Sequence, residues 1–234
     1  MKILGIETSS PVIGCALLSD TCLVAQLEGS FGKGQSSVLV PLLADLFKHA
    51  QMTLDDVDGL AISMGPGSFT GLRVGFASVK AIAYTKKLPV AGIPTLDAIA
   101  HNALSCTCGT IAVILDARKD RVYAAFYESD GYSLKRCSPY LLDNITMVLG
   151  RLKAVSKNKK SCYILGDGIT AYGPALKKKV GAKKTVFGPP ETWLPRASTI
   201  AVLGMKNLKK KKELDIITAS PLYLYERYCN VRVR

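Results

Sequence analysis

The sequence predicts an α/β protein built from two related halves, each with a mixed β-sheet flanked by helices. Each half opens with three short strand-like segments separated by polar turn residues, a pattern typical of consecutive hairpins. Each half then alternates helical periodicity with short apolar runs, which is typical of crossover units that extend a sheet. The repeated order of these segments indicates a duplication.

The first half begins with an apolar segment, 3–6, that ends in the acid Glu7. Small polar residues follow, and residues 12–18 and 22–27 continue as two further strands. The apolar residues between 38 and 50 share one helical face, which predicts an amphipathic helix there. Beyond it the sequence predicts a strand at 60–63, a helix at about 69–86, a strand at 89–93 and a helix at 95–104.

The second half repeats this order. Residues 111–115 end in Asp116, the chain turns through 118–120, and strands follow at 122–127 and 132–137. Helices are predicted around 144–155, 170–179 and 198–211, with strands at 163–165 and 185–187.

A three-stranded meander joined to crossover units, present twice, is typical of an actin-like duplicated fold of the ASKHA, or ribonuclease H-like, class. The boundary is predicted near residues 105–109. We therefore expect an N-terminal lobe at 1–106 and a C-terminal lobe at 107–234.

Composition limits the class of protein. The chain has 234 residues, of which 48% are hydrophobic and 21% charged, so it is neither disordered nor a coiled coil. No apolar run approaches the roughly 20 residues that a membrane span needs. The first residues lack the pattern of a signal peptide. We expect a cytoplasmic protein without a membrane partner.

The net charge of +13 is concentrated in the second half. Basic clusters lie at 157–160, 177–179, 183–184, 209–212 and 227–234. Such clusters fit either nucleic-acid phosphates or solvated helix ends. No aromatic residues interleave with the lysines as a base-stacking platform would require. Both interpretations stay open on sequence grounds.

The segment 65–75, with the sequence GPGSFTGLRVG, carries the most information. It is not a Walker A loop, because no Gly-Lys-Ser/Thr follows, and it lacks the third glycine of a Rossmann fingerprint. Ser68 or Thr70 can cap the helix that follows. Glycines inside that helix cost roughly 1 kcal/mol each relative to alanine. They indicate close packing, either against the chain's own sheet or against a partner helix, for which Leu72, Phe76 and Val79 would be anchors.

This segment, together with ILGIETSS at 3–10, ILDARKDRVY at 114–123 and PLYL at 221–224, closely resembles the TsaB (YeaZ) family. The matches span nearly the whole chain in the family's order. TsaB is the non-catalytic paralogue of TsaD in tRNA threonylcarbamoyladenosine biosynthesis. The resemblance implies an actin-like fold and a role beside a catalytic subunit.

The resemblance also implies partners. They are a TsaD-type transferase that this chain activates, a TsaE-type ATPase, and tRNA bound through the complex. The resemblance implies that the complex uses ATP and modifies the adenosine next to the anticodon of ANN-decoding tRNAs. Alone, the chain is expected to form a homodimer. The family's dimer interface carries over onto Gly67, Ser68, Phe69, Thr70, Gly71, Leu72, Arg73, Gly75 and Phe76.

Catalytic and metal-binding residues are not expected. The catalytic relative holds a metal with two histidines spaced by three residues on a helix. This chain has only His49 and His101, and around 35–37, where that helix would begin, there is no histidine. An ATPase on the same fold and a degenerate glycoprotease-like metallopeptidase remain the alternatives.

Vestigial phosphate loops are the last candidate site. In this superfamily the two hairpin turns and a third loop grip nucleotide phosphates. The corresponding positions are Glu7, Thr8, Ser9, Ser10, Asp116, Arg118, Gly166 and Gly168. We expect weak nucleotide affinity or none, and no bound cofactor.

Overall fold

The computed structural model describes residues 1–30, 38–106, 108–157 and 161–224. The chain divides into two compact units. Unit 1 comprises Met1–Ala98 and Leu194–Leu222, and unit 2 contains Ile99–Trp193. No helix in the described residues is long and apolar enough to span a bilayer.

Unit 1 contains a five-stranded sheet. Its strands are β1 Lys2–Glu7, β2 Val12–Ser19, β3 Cys22–Ser30, β4 Gly59–Gly65 and β5 Val90–Pro94. They lie in the order β3-β2-β1-β4-β5. The first three are antiparallel, and β4 and β5 join parallel to β1. This is the predicted meander followed by crossover strands.

Helices cover both faces of this sheet. They are α1 Leu39–Ala50 and α2 Phe69–Lys86 on one face and α6 Ala197–Lys209 on the other, and α3 Thr95–His101 follows β5 in the chain. Leu4 and Ile6 of β1 belong to the core beneath α1 and α2, whereas Ile3 packs with α6 on the opposite face.

The predicted boundary between the lobes differs from the observed units. The prediction assigned 107–234 to the second half, but α6 and the residues that follow it pack in unit 1. Gly5 of β1 lies against Ala201, and Gly204 lies against Ala61 of β4. These small residues bring α6 close to the sheet, and Ile200 and Met205 complete its buried face.

Unit 2 repeats the architecture. Its strands are β6 Cys108–Asp116, β7 Arg121–Asp130, β8 Leu134–Arg136, β9 Leu141–Asn144, β10 Cys162–Leu165 and β11 Thr185–Phe187. The order is β11-β10-β6-β7-β8, with β9 also paired to β7. Helices α4 Ile145–Ser156 and α5 Gly168–Val180 pack on one face. Strand β9 was not predicted, because its four residues carry no clear alternation.

The cysteines of the described residues fall into a buried and an exposed group. Cys15 and Cys162 are buried, and burial raises the pKa of each thiol to about 12. Cys22, Cys106, Cys108 and Cys137 are exposed. Cys229 lies outside the described residues.

Candidate functional site

The glycine-rich segment forms the connection between β4 and α2. Gly65 has a φ of +100°, which favours glycine, and the Gly65–Pro66 peptide bond is cis. The Ser68 hydroxyl accepts a hydrogen bond from the N–H of Gly71 at 3.2 Å and so caps α2. Of the two predicted cap residues, Ser68 is the one used.

The glycines of this segment face the turn between β1 and β2. A Cβ atom at Gly67 would overlap the Ser9 carbonyl oxygen, and one at Gly71 would overlap the Thr8 carbonyl oxygen. A Cβ atom at Gly75 would overlap Thr8 Oγ1. The glycines therefore allow α2 to pack closely against the chain's own turn, which was one of the two interpretations left open.

The proposed anchors are buried as well. Leu72, Phe76 and Val79 are at most 4% exposed and belong to unit 1's own packing. Leu72 and Phe76 therefore point into unit 1, and Gly71 and Gly75 face the turn between β1 and β2; their assignment to a partner interface stays a prediction. Burial of these positions leaves the opposite side of α2 exposed.

We call that opposite side the α2 outer face. It consists of the exposed residues Phe69, Thr70, Arg73, Ala77, Ala81 and Tyr84. Phe69 is 52% and Tyr84 77% exposed, and the Arg73 guanidinium carbon lies 3.9 Å from the Phe69 ring centroid. Two alanines lie between Phe69 and Tyr84, so the side chains in the middle of the face are short. Gly67 and Ser68 lie at its start.

The first predicted phosphate loop is closed by its own chain. Glu7, Thr8, Ser9 and Ser10 are all at most 6% exposed. Both the N–H and the hydroxyl of Ser9 donate to Glu7 Oε1 at 2.5 Å. The Ser9 carbonyl oxygen accepts from the N–H of Ser68 at 2.7 Å. Burial raises the pKa of Glu7 to about 7, despite the Ser9 hydrogen bonds that lower it.

The second and third predicted loops come together in unit 2. The N–H of Asp116 donates to Asp167 Oδ1 at 2.9 Å, and the N–H of Arg118 donates to Asp116 Oδ1 at 2.8 Å. Gly166 and Gly168 pack on the Ile114 backbone, where any Cβ would be crowded. Carboxylates thus accept the amide protons that a phosphate would need, and their charge would repel it.

Relatives and solved structures agree with this architecture. The TsaB proteins of Bacillus subtilis and Escherichia coli are each 28% identical, over 224 and 228 residues, covering 96% of this chain and 94% of theirs. The YeaZ structure from Pseudomonas aeruginosa has a TM-score of 0.74 at 21% identity, covering 95% of this chain and 99% of that one. The ROK hexokinase of Thermus thermophilus gives 0.53 at 11% identity, covering 89% and 100%.

The family model for TsaD, tRNA N6-adenosine threonylcarbamoyltransferase, matches residues 32–230. The chain belongs to this family, as a TsaB (YeaZ) type member. The predicted family and the predicted actin-like α/β fold are both confirmed.

Within this TsaB-type chain the two histidines are far apart in sequence and lie on different helices. His49 is in α1 and its Nδ1 lies 2.8 Å from the Asp45 carbonyl oxygen, whereas His101 ends α3. The described residues contain no cluster of three His, Cys, Asp or Glu side chains that would hold a metal. Residues 35–37, where a metal-binding relative begins its histidine helix, lie outside the described part.

The residues that the TsaB resemblance carries over to the interface do not include Ala77, Ala81 or Tyr84. Their spacing contained the signal: Arg73, Ala77, Ala81 and Tyr84 recur at intervals of four, four and three and so share one helical face. Gly71 and Gly75 form a second row, turned toward Thr8.

Proposed function

We propose that this chain is a non-catalytic subunit of the machinery that forms threonylcarbamoyladenosine in tRNA. It pairs with and activates a TsaD-type transferase, with a TsaE-type ATPase as third component. The product is the modified adenosine next to the anticodon of ANN-decoding tRNAs, and the complex consumes ATP. Family membership and the names of the TsaB relatives support this role.

The α2 outer face is the observation that carries the proposed pairing. An 18-residue helix presents two exposed alanines between two exposed aromatic residues, while the buried positions on its other side pack within the chain. Small residues let a second helix approach closely, because the interaxial distance depends on the side chains at the contact. Exposed aromatic side chains are the residue type most enriched among residues that dominate binding energy. Phe69 and Tyr84 are these anchors.

A role without catalysis is supported by the residues found where a catalytic relative would have metal ligands and phosphate-binding loops. The two histidines are 52 positions apart, which does not fit the paired ligands of the catalytic relative. The loop at Glu7–Ser10 is filled by α2, and the turn at Asp116 offers carboxylates rather than free amides. Transfer chemistry is therefore assigned to the paralogue.

Reconstitution tests the proposed function directly. The chain, the TsaD-type paralogue, the ATPase, tRNA, ATP, threonine and a source of threonylcarbamoyl adenylate are combined, and each protein is omitted in turn. We expect modified adenosine to fall to background when this chain is omitted, and the chain alone to be inactive toward tRNA and peptides. Full modification in its absence, or turnover by the chain alone, would contradict the proposal.

Self-association is part of the same proposal. In the absence of the paralogue, the outer face with its two aromatic residues remains open, and a second copy buries it. Light scattering should show a dimer that is displaced when the paralogue is added.

A further inference from the structure

Seven exposed lysines converge on one edge of unit 2. The parallel strands β10 and β11 start side by side there, with Cys162 opposite Thr185, and the C-terminal ends of α4 and α5 lead into them. The Lys184 Nζ donates to the Lys157 carbonyl oxygen at 3.3 Å, which joins the two helix ends. We call this the basic edge; its lysines are Lys153, Lys157, Lys177, Lys178, Lys179, Lys183 and Lys184.

The helices and turns that carry the basic edge contain almost no acid, and the acids at the same edge of the sheet, Glu128 and Asp130, lie on β7 beyond β6. Residues 145–184 contain ten lysines and arginines but a single acid, Asp167. Asp167 follows the far end of β10, where it accepts the Asp116 N–H. Within the described ranges, no carboxylate lies within salt-bridge distance of any of the seven lysines.

Unit 1 provides an internal comparison, because its parallel strands start at an equivalent edge that also carries lysines. There two of the lysines form ion pairs with carboxylates. Lys2 Nζ lies 3.3 Å from Asp56 Oδ1, and Lys86 pairs with Asp55. Lys209, near the end of α6, contributes to lowering the pKa of Asp20, after the larger effect of the chain's amino terminus.

Helix-end electrostatics do not account for this difference. A lysine near a helix C-terminus contributes roughly 0.3–1 kcal/mol, and both edges have such helix ends. Adding further like charges at one helix end costs free energy through repulsion. An unbalanced cluster of seven lysines is therefore best explained by an anion that comes from outside the chain.

The chemistry of that anion follows from the lysines. Lysine binds phosphate as a point charge without reading base identity, and the runs that carry the lysines, 153–157, 177–179 and 183–184, contain no aromatic residue that would stack on bases. We infer that the basic edge binds the sugar-phosphate backbone of tRNA, independently of sequence. This inference rests on the proposed function, which makes tRNA the polyanion that the complex handles.

Charge-matched variants of the full chain test the inference. In the edge variant, Lys153, Lys157, Lys178, Lys179 and Lys183 are changed to Gln; Lys177 and Lys184 are kept because they contact Phe187 and Lys157. In the control, Lys206, Lys209, Lys210, Lys211 and Lys212 are changed to Gln. Both variants lose the same five charges at a helix end, and melting curves verify that both are folded.

Affinity for tRNA is measured by fluorescence anisotropy between about 50 and 200 mM salt. At the lowest salt the edge variant is expected to bind tRNA at least about tenfold more weakly than the parent. Its slope of log K against log salt should be shallower by roughly 2 to 4. The control should change affinity less than about threefold. Equal losses in both variants, or none in the edge variant, would overturn the inference.

Two further arms separate the alternatives. In the first, the same proteins are mixed with vesicles containing phosphatidylserine. Edge-dependent binding that is tighter to vesicles than to tRNA would overturn the inference that the basic edge binds tRNA. The binding assay needs no paralogue, so it is independent of the proposed function. Edge-dependent tRNA binding without any requirement for the chain in modification would contradict the function and leave the basic edge intact.

Discussion

Gly71 of α2 lies directly against the carbonyl oxygen of Thr8, with no room for a side chain between them. The same row continues with Gly75 against Thr8 Oγ1. The start of α2 and the turn between β1 and β2 are thus fixed to each other. This packing turns Phe69, Ala77 and Tyr84 outward and closes the turn that a phosphate would occupy.

Substitution of Gly71 by Ala should destabilise the chain by about 2–4 kcal/mol, because the added methyl group meets backbone rather than a mobile side chain. Urea unfolding measures the loss. Gly150→Ala is the matched control, since Gly150 lies inside α4 and a methyl group added there would have nothing within 4 Å of it. That control should gain up to about 1 kcal/mol from helix propensity. A neutral Gly71→Ala would refute the packing role.

The buried carboxyl of Glu7 predicts a specific dependence of stability on pH. Its pKa is raised from 4.5 to about 7, so the folded state holds a proton that the unfolded state releases between these values. Stability from this group is therefore greatest below pH 4.5 and is lost as the pH rises toward 7. The total change is about 3 kcal/mol.

Glu7→Gln removes that titration while keeping an oxygen that accepts from Ser9. The variant should be more stable than the parent at pH 8 and should lose the advantage near pH 4, as measured by urea unfolding across this range. Glu28→Gln, at an exposed position on β3, controls for the substitution itself. A difference between Glu7→Gln and parent that does not vary with pH would show that the pKa of Glu7 is the same in the folded and unfolded states.

Nucleotide affinity should be negligible in the isolated chain. The N–H groups of Asp116 and Arg118 already donate to carboxylates, and the Glu7 turn is buried. About 1 mM Mg-ATP should therefore raise the melting temperature by less than about 1 °C. A shift of several degrees, saturating with ATP concentration, would mean that an intact phosphate site exists.

Much of this fold was predictable from local patterns. The strand at 3–6 and the helix from 69 to 86 have clear apolar periodicity, and their bounds agree with β1 and α2 within one or two residues. The sheet against which α6 packs was not predictable. The apolar face of α6 with Ile200 and Met205 fits any sheet, and the matching of Gly204 to Ala61 and of Gly5 to Ala201 selects the sheet of unit 1.

The candidate site shows the same limit. A row of small residues indicates close packing but does not say against what, so Gly75 and Ala77 looked equivalent in sequence. In the fold they lie on opposite faces, one turned toward Thr8 and one exposed. Gly75→Arg would therefore test folding rather than docking, and Ala77 is the position that tests the interface.

Ala77→Arg places a long charged side chain at the centre of the α2 outer face without entering the core. Ala175→Arg makes the same change at an exposed position of α5 and is the matched control. Both variants should keep the parent's free energy of unfolding within about 0.5 kcal/mol, because surface substitutions usually do.

The central claim is that the α2 outer face docks the TsaD-type paralogue. Its most direct test measures the binding of these variants to the paralogue by calorimetry and then assays tRNA modification. We predict that Ala77→Arg weakens the complex at least about 30-fold, the effect of roughly 2 kcal/mol at an interface centre, and lowers modification in parallel, while Ala175→Arg matches the parent. Parent-like affinity and modification with Ala77→Arg would contradict the assignment of the α2 outer face as the docking surface.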